Sequence, residues 1–255
     1  MNIFDKVAIV TGGASGLGMA CVRLMVQKGG RAAIFDLNEE KAESLVDEYK
    51  GKVCFIKTNV ADDQNVKHAV QEVMETFGAV HFTINCAGIG FPEKVIGKDG
   101  PMPMDKFEKT MAVNLSGTLN VIRHATLKMM ENDPNADGEK GVIINTSSIA
   151  AYEGQIGQVA YTASKAALVG ITLPLAREFA DYGIRVVTIA PGIFDTPILA
   201  WVPEKAKAAL ASKIPFPKRF GDPKEFAALA GHILENPIIN GETIRLDGSL
   251  RMADR

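Results

Sequence analysis

An apolar stretch, Lys6-Val-Ala-Ile-Val10, runs directly into Thr11-Gly-Gly-Ala-Ser-Gly-Leu-Gly18, which opens a helical pattern from Met19 to Lys28. A strand, a glycine-rich turn and a helix in that order leave few folds open. Glycine lets the backbone turn sharply and approach a bound group closely. The following helix points free N–H groups and the positive end of its dipole at the same place, as a pyrophosphate site needs. The spacing is Gly12-x-x-x-Gly16-x-Gly18 rather than the common G-x-G-x-x-G. It therefore shares that fingerprint's mechanism, not its letter. Taken alone, the turn has a competing reading as a helix cap in an unrelated α/β domain.

A second apolar run, Arg31-Ala-Ala-Ile-Phe35, ends in Asp36. An acid at that distance from the turn meets the adenosine ribose hydroxyls in dinucleotide-binding folds. Its carboxylate would repel the extra phosphate of NADP, and the next residues, Leu37-Asn-Glu-Glu40, bring no compensating base. NAD is the cofactor this pattern favours. The alternative role for Asp36 is a helix N-cap.

Strand-like runs continue at Val53–Lys57, Val80–Asn85, Gly141–Asn145, Arg185–Ile189 and Thr243–Leu246, with helical patterns near 39–49, 62–77, 104–132, 157–181 and 222–235. Most strand runs are almost continuously apolar, as parallel strands buried on both faces require. The expected fold is α/β: a single Rossmann-type, doubly wound parallel sheet of seven strands between two helical layers, spanning 1–255 as one domain. Three stretches break the alternation: 90–103, 131–141 and the proline-rich 191–220. The first and third follow strands, so they emerge at the carboxyl edge where such sheets bind ligands, and are lid candidates. The second, 131–141, is expected as a surface loop at the opposite edge.

A net charge of −2 gives no basic field for nucleic acid. No run in the sequence reads as a membrane span of about 20 residues. Cys21, Cys54 and Cys86 are scattered and odd in number, as expected in a reducing, cytoplasmic setting. His68, His81, His124 and His232 lack metal-ligand spacing, and no metal is expected.

The chemistry-bearing residues follow the fifth strand. Thr146-Ser-Ser148 precedes Tyr161 in Tyr161-Thr-Ala-Ser-Lys165. Tyr and Lys at i and i+4 share one helical face. A phenol of ordinary pKa about 10 is a poor base at neutral pH. A neighbouring ammonium favours the phenolate, each unit of lowering corresponding to ~1.4 kcal/mol. Lys165 is therefore expected to depress Tyr161. Such a group takes a proton from an alcohol as hydride leaves the carbon, while Ser148 holds the same oxygen.

With these residues in place the chain resembles the short-chain dehydrogenase/reductase family along essentially its whole length. Asn85-Cys-Ala-Gly88 is similar to the family's Asn-Asn-Ala-Gly segment, with Cys86 in place of the second Asn. The resemblance implies that Gly12, Ser15, Gly16, Leu17 and Gly18 frame the pyrophosphate and Asp36 the ribose. It places Asn59 and Val60 at the adenine, and Cys86, Ala87 and Gly88 beside the cofactor. Pro191, Gly192, Phe194 and Thr196 fall at the nicotinamide. Ser148, Tyr161 and Lys165 become catalytic, with Asn114 supporting them through a carbonyl-held relay water and Lys165 also bonding the nicotinamide ribose.

The segments Ala151-Tyr-Glu-Gly-Gln155, 90–103, 131–141, Pro215-Phe-Pro217 and 235–252 resemble a branch of the family acting on 3-hydroxyacyl-CoA thioesters, including 2-methyl-branched ones. That branch implies a homotetramer and an acyl-CoA substrate, with Ser148, Gln155 and Tyr161 on the substrate side. Gln155 reads equally as a loop-capping amide. The other enzyme readings are a 3-oxoacyl carrier-protein reductase, which Asp36 opposes, and a steroid or secondary-alcohol dehydrogenase. A non-catalytic NAD sensor or scaffold would be expected to lack Tyr161 or Lys165, and both are present.

Overall fold

The computed structural model describes residues 1–197 and 203–254. Seven strands form one sheet: β1 (Val7–Thr11), β2 (Arg31–Asp36), β3 (Val53–Lys57), β4 (Phe82–Asn85), β5 (Gly141–Thr146), β6 (Ile184–Pro191) and β7 (Thr243–Leu246). Their order is β3-β2-β1-β4-β5-β6-β7, with every neighbouring pair parallel. The order reverses between β1 and β4, and a crevice opens there at the carboxyl ends.

β1, β4, β5 and β6 are buried along their whole length. Alternate residues serve opposite faces. Ala8 and Val10 pack beneath α1 (Gly16–Gln27), α2 (Glu39–Glu48) and α8 (Pro223–Glu235). Val7 and Ile9 pack beneath α3 (Asp63–Phe77), α5 (Thr118–Met129) and α6 (Val159–Glu178). The helix ends carry their own signals. Asp62 caps α3, which stops at left-handed Gly78, and Asp222 with Glu225 forms a capping box ahead of α8.

The pattern over 104–132 predicts one helix, but the chain forms α4 (Met104–Met111), a π-helical turn at Ala112–Gly117, and then α5. The turn lies where Asn114 reaches across to other segments. Gly117 also presses on Val60 there, and a Cβ at Gly117 would sit 2.7 Å from Val60 Cγ2.

The 131–141 stretch lies at the edge opposite the crevice, but it is not wholly a surface loop. Glu139 is buried and pairs with Arg185 Nε at 2.6 Å and with the Met1 ammonium at 2.8 Å. In the 90–103 stretch, Ile96–Gly97 and Gly100–Pro101 form a small antiparallel hairpin. The 191–220 stretch contains α7 (Glu204–Ser212), and its positions 198–202 lie outside the described residues. Its ends are joined by a bridge between Phe194 and Gly221.

α6 corrects the sequence expectation about apolar runs. An 18-residue window of this 20-residue helix reaches a mean hydropathy of 1.3, enough by length and composition to cross a membrane. Ser and Thr interrupt the apolar letters without lowering that mean much. In this fold α6 lies against the sheet through Ser164, Lys165, Leu168, Thr172 and Ala176.

Candidate active site

The glycine turn lies at the crevice. Gly12 and Gly16 have φ of 64° and 51°, and a Cβ at Gly18 would lie 2.3 Å from the Gly12 carbonyl oxygen. Ser15 is the N-cap residue of α1 but makes no capping bond with its side chain. The first-turn N–H groups of Gly16, Leu17 and Gly18 lack intrahelical acceptors by geometry. These features suit a phosphate group placed against the turn.

Asp36 is not the helix cap; Asn38 is, accepting from Lys41 N. Asp36 Oδ2 accepts from Ala14 N at 3.1 Å, and Oδ1 accepts from Leu37 N and Asn38 N at 2.7 and 3.0 Å. Oδ1 is thereby filled, while Oδ2 keeps a further lone pair for a hydroxyl donor. The carboxylate therefore ties the end of β2 to the glycine turn.

The segment after β4 lies against the same turn. Ala87 N donates to Thr11 Oγ1 at 3.0 Å, and a Cβ at Gly12 would meet Ala87 N at 3.0 Å. Cys86 is more than a packing residue. Its thiol accepts from Thr146 Oγ1 at 3.5 Å and from Cys21. Those bonds, with the Lys165 charge, pull it down against the effect of burial. Cys21, fully enclosed and donating to Cys86, is pushed up.

Asn59 is partly committed elsewhere, its side-chain carbonyl accepting from Ala61 N at 3.1 Å. Val60 has its side chain in the core. What it presents is a backbone N–H that meets no acceptor among the described residues.

Ser148 follows β5 and caps the next short turn, its Oγ accepting from Ala150 N at 3.1 Å. Tyr161 lies in the first turn of α6, near enough to Ser148 for that hydroxyl to counter part of the effect of burial on its phenol. Lys165 Nζ donates to the Thr146 carbonyl at 2.7 Å and lies 5.7 Å from the Tyr161 ring centre. Asn114 Nδ2 donates to Ile89 O at 2.8 Å and to Ser164 Oγ at 2.9 Å, and Oδ1 accepts from Ile89 N at 2.8 Å. Its backbone carbonyl accepts from Thr118 Oγ1 at 2.9 Å. A Cβ at Gly88 would lie 3.4 Å from both Asn114 Oδ1 and Lys165 Nζ, so the three meet at one point.

Electrostatics correct one expectation. Burial pushes the Tyr161 phenol up, and the Ser148 hydroxyl only partly offsets this. The Lys165 ammonium, 5.7 Å from the ring centre and bonded to Thr146 O, does not overcome the effect of burial. Burial lowers Lys165 itself to about 8, so it stays charged at neutral pH. Tyr161 is therefore a phenol, poised as an acid toward a nascent alkoxide and as a base only once it has lost that proton.

Around the far side, Thr196 stands over Gly16, with Cγ2 3.3 Å from a Cβ built there. Gly192 N donates to Leu246 O at 2.9 Å and abuts Asp247. Phe194 departs from its expected place at the nicotinamide. Its ring is buried edge-on to Phe226, 6.4 Å between centres. Gln155 is tied down: Nε2 donates to Ala253 O at 3.1 Å, and Oε1 accepts from Gln158 Nε2 at 3.3 Å. That is the capping role.

A parallel sheet with a switch-point glycine turn, and a Ser, Tyr and Lys converging beside it, define a nucleotide-dependent dehydrogenase. The family described as short chain dehydrogenase matches residues 6–207. The chain belongs to that family.

It is 46% identical to the 3-hydroxyacyl-CoA dehydrogenase type-2 of Drosophila melanogaster over 252 residues, covering 98% of this chain and 99% of that protein. The Homo sapiens protein of the same name is also 46% identical, over 98% of this chain and 97% of its own length. The crystal structure of 3-hydroxyacyl-CoA dehydrogenase type-2 from Mycobacterium avium superposes with a TM-score of 0.94 at 41% identity, covering both chains fully.

Proposed function

We propose that the protein uses NAD to oxidise, reversibly, the 3-hydroxyl of short-chain 3-hydroxyacyl-CoA thioesters, including 2-methyl-branched ones. The observation that carries this reading is the Ser148–Tyr161–Lys165 cluster at the crevice opened by the glycine turn, with Asp36 bonded to that turn where a ribose would lie. Full-length similarity to proteins named for this substrate supports it.

NAD, when bound, supplies the hydride acceptor. The residues of the chain handle the proton and the orientation. Ser148 Oγ donates to the substrate oxygen and holds it beside Tyr161. In the reducing direction the Tyr161 phenol gives its proton to the nascent alkoxide; in the oxidising direction it first loses that proton to solvent, and the phenolate oxygen then receives the hydroxyl proton as the C–H bond breaks. Lys165 keeps a positive charge under the site and would bond the nicotinamide ribose when NAD is bound. Asn114 fixes the floor of the site through Ile89 and Ser164.

Exposed apolar side chains at Phe91, Val95 and Ile96, and at Ile156, suit an acyl chain. Exposed Lys94, Lys98 and Lys205 on the two lid candidates suit the CoA phosphates. The test compares 3-hydroxybutyryl-CoA with free 3-hydroxybutyrate. The thioester is expected to give a much larger kcat/KM, because remote binding energy is used at the reacting carbon. Added salt should lower the advantage by screening the rim charges. Free hydroxy acids or steroids outperforming the thioester would refute this substrate.

Homotetramer assembly is part of the proposal. Leu119 and Leu127 on α5 and Leu173 on α6 are exposed to 37%, 60% and 44%. Such apolar faces are suited to helix–helix contact between subunits. Sedimentation of a monomer at micromolar concentration would reject it.

A further inference from the structure

The segment 152–158 joins the turn that holds Ser148 to the helix that holds Tyr161, and three separate parts of the chain hold it. Glu153 receives a bidentate bond from Arg245, Nη1 to Oε1 at 2.7 Å and Nη2 to Oε2 at 2.9 Å. The guanidinium lies 5.0 Å over the Tyr152 ring and also donates through Nε to Asp247 at 2.7 Å. Beyond β7, Leu250 packs with Ile149 and Ile214, and Met252, Ile193 and Phe220 close the same small core. The chain then passes beside the segment, where Ala253 O accepts from Gln155 and Asp254 O from Ile156 N at 3.0 Å. On its other side Gly157 O accepts from Glu93 N at 2.7 Å, tying in the 90–103 stretch.

We propose that Arg245 and Glu153 are positioning residues for the substrate mouth, the clamp that fixes where the 152–158 segment and the strap 247–254 meet. Both lie on the β5–β7 half of the sheet, away from the glycine turn and Asp36. Arg245 is the main anchor: one planar group grips Glu153 bidentately and Asp247 and bonds the Leu250 carbonyl at 3.2 Å, while the more exposed Arg251 backs it up at Asp247 (3.1 Å), the Leu250 carbonyl (2.8 Å) and, at 3.5 Å, Glu153. At about one-fifth exposure on each side chain, the pair is sheltered enough to hold its geometry yet lies at the rim that a substrate passes. Loosening it frees Gln155, Ile156 and the strap to move, while Ser148 keeps its bond from Ala150 N and Tyr161 its place on α6.

The 3-hydroxyacyl-CoA reading enters this inference only through the choice of substrate probe. The experiment uses Glu153→Gln, Arg245→Met and Arg245→Lys in the full chain. Amide hydrogen exchange over 153–157 and 250–254 should rise at least tenfold in Arg245→Met. KM for 3-hydroxybutyryl-CoA should rise at least fivefold with kcat within twofold, and the NADH Kd should stay within twofold. Arg245→Lys, which keeps a charge but loses the fork, should recover only part of KM. Glu153→Gln keeps the side-chain shape and serves if Arg245→Met does not fold. Unchanged exchange in the folded variants would overturn the clamp. Raised exchange with KM unmoved would overturn its role at the mouth. If 3-hydroxybutyryl-CoA is not oxidised by the parent protein, the substrate reading fails, while the exchange readout still decides the clamp.

Discussion

Asp36 braces the fold and, on the proposed function, also selects the coenzyme, and two substitutions separate those roles. Asp36→Ala removes the acceptor of three backbone N–H groups. Leu37 and Asn38 are exposed and recover water, so they contribute little. Ala14 N–H is part-buried and loses a bond to a charged oxygen, worth about 1.5–3 kcal/mol. We expect a stability loss of about 2 kcal/mol, lowering Tm by roughly 4–8 °C for a domain of this size. Asp36→Asn keeps one carbonyl acceptor without the charge and should lose less than half as much. The coenzyme effect follows charge, not bonding. The parent should prefer NAD over NADP at least tenfold in kcat/KM, which is ~1.4 kcal/mol, and both variants should narrow that ratio to about threefold or less. Steady-state kinetics with both coenzymes, alongside thermal melts of the free proteins, measure the two effects. Equal efficiency of NAD and NADP in the parent, or a full preference retained in Asp36→Asn, would refute the reasoning.

Tyr161→Phe keeps the ring and removes the proton-carrying oxygen. Single-turnover rates should fall by roughly 10²–10⁴-fold while fluorescence titration gives an NADH Kd within twofold of the parent; near-normal turnover would mean that another group moves the proton. His81 gives a pH signature of folding. It is buried and accepts from Val7 N at 3.2 Å, and burial lowers it from 6.5 to about 4. The unfolded chain therefore binds the extra proton first, so this contribution is complete above about pH 6.5 and is lost as pH falls toward 4, up to about 3 kcal/mol. Denaturant titrations between those limits should show a shallower pH slope in His81→Gln, and an identical slope would remove His81 as the cause.

The sheet is legible in the sequence because buried parallel strands are nearly uninterrupted apolar runs. Val53–Lys57 and Thr243–Leu246 fall where the pattern places them, and the glycine turn marks the crevice. The π-helical turn around Asn114 is not legible, since the apolar period continues across it; its cause is a side chain reaching Ile89 and Ser164, 25 and 50 residues away. Nor does sequence show which way a ring turns. Phe194 sits among residues of the cleft, but packing on Phe226 takes its side chain inward. The state of Tyr161 was misread for a related reason. A neighbouring lysine is visible in the letters, whereas burial and the direction of an ammonium are not. The Glu153–Arg245 pair joins residues 92 apart and has no periodic signature at all.

The bridge between Phe194 and Gly221 has a consequence for how such a chain diversifies. Gly221 N donates to Ile193 O at 2.9 Å and Asp195 N to Gly221 O at 2.9 Å, so the stretch between them leaves and re-enters the scaffold at one stitched point. Closing a loop costs only about 0.6 kcal/mol more for each doubling of its length. Once both ends are pinned, the intervening chain can be lengthened, shortened or exchanged without shifting a strand. The stitch turns the cover of the pocket into an interchangeable cassette, one that can be remodelled for a different acyl group while the proton-handling side chains stay on the rigid sheet and α6.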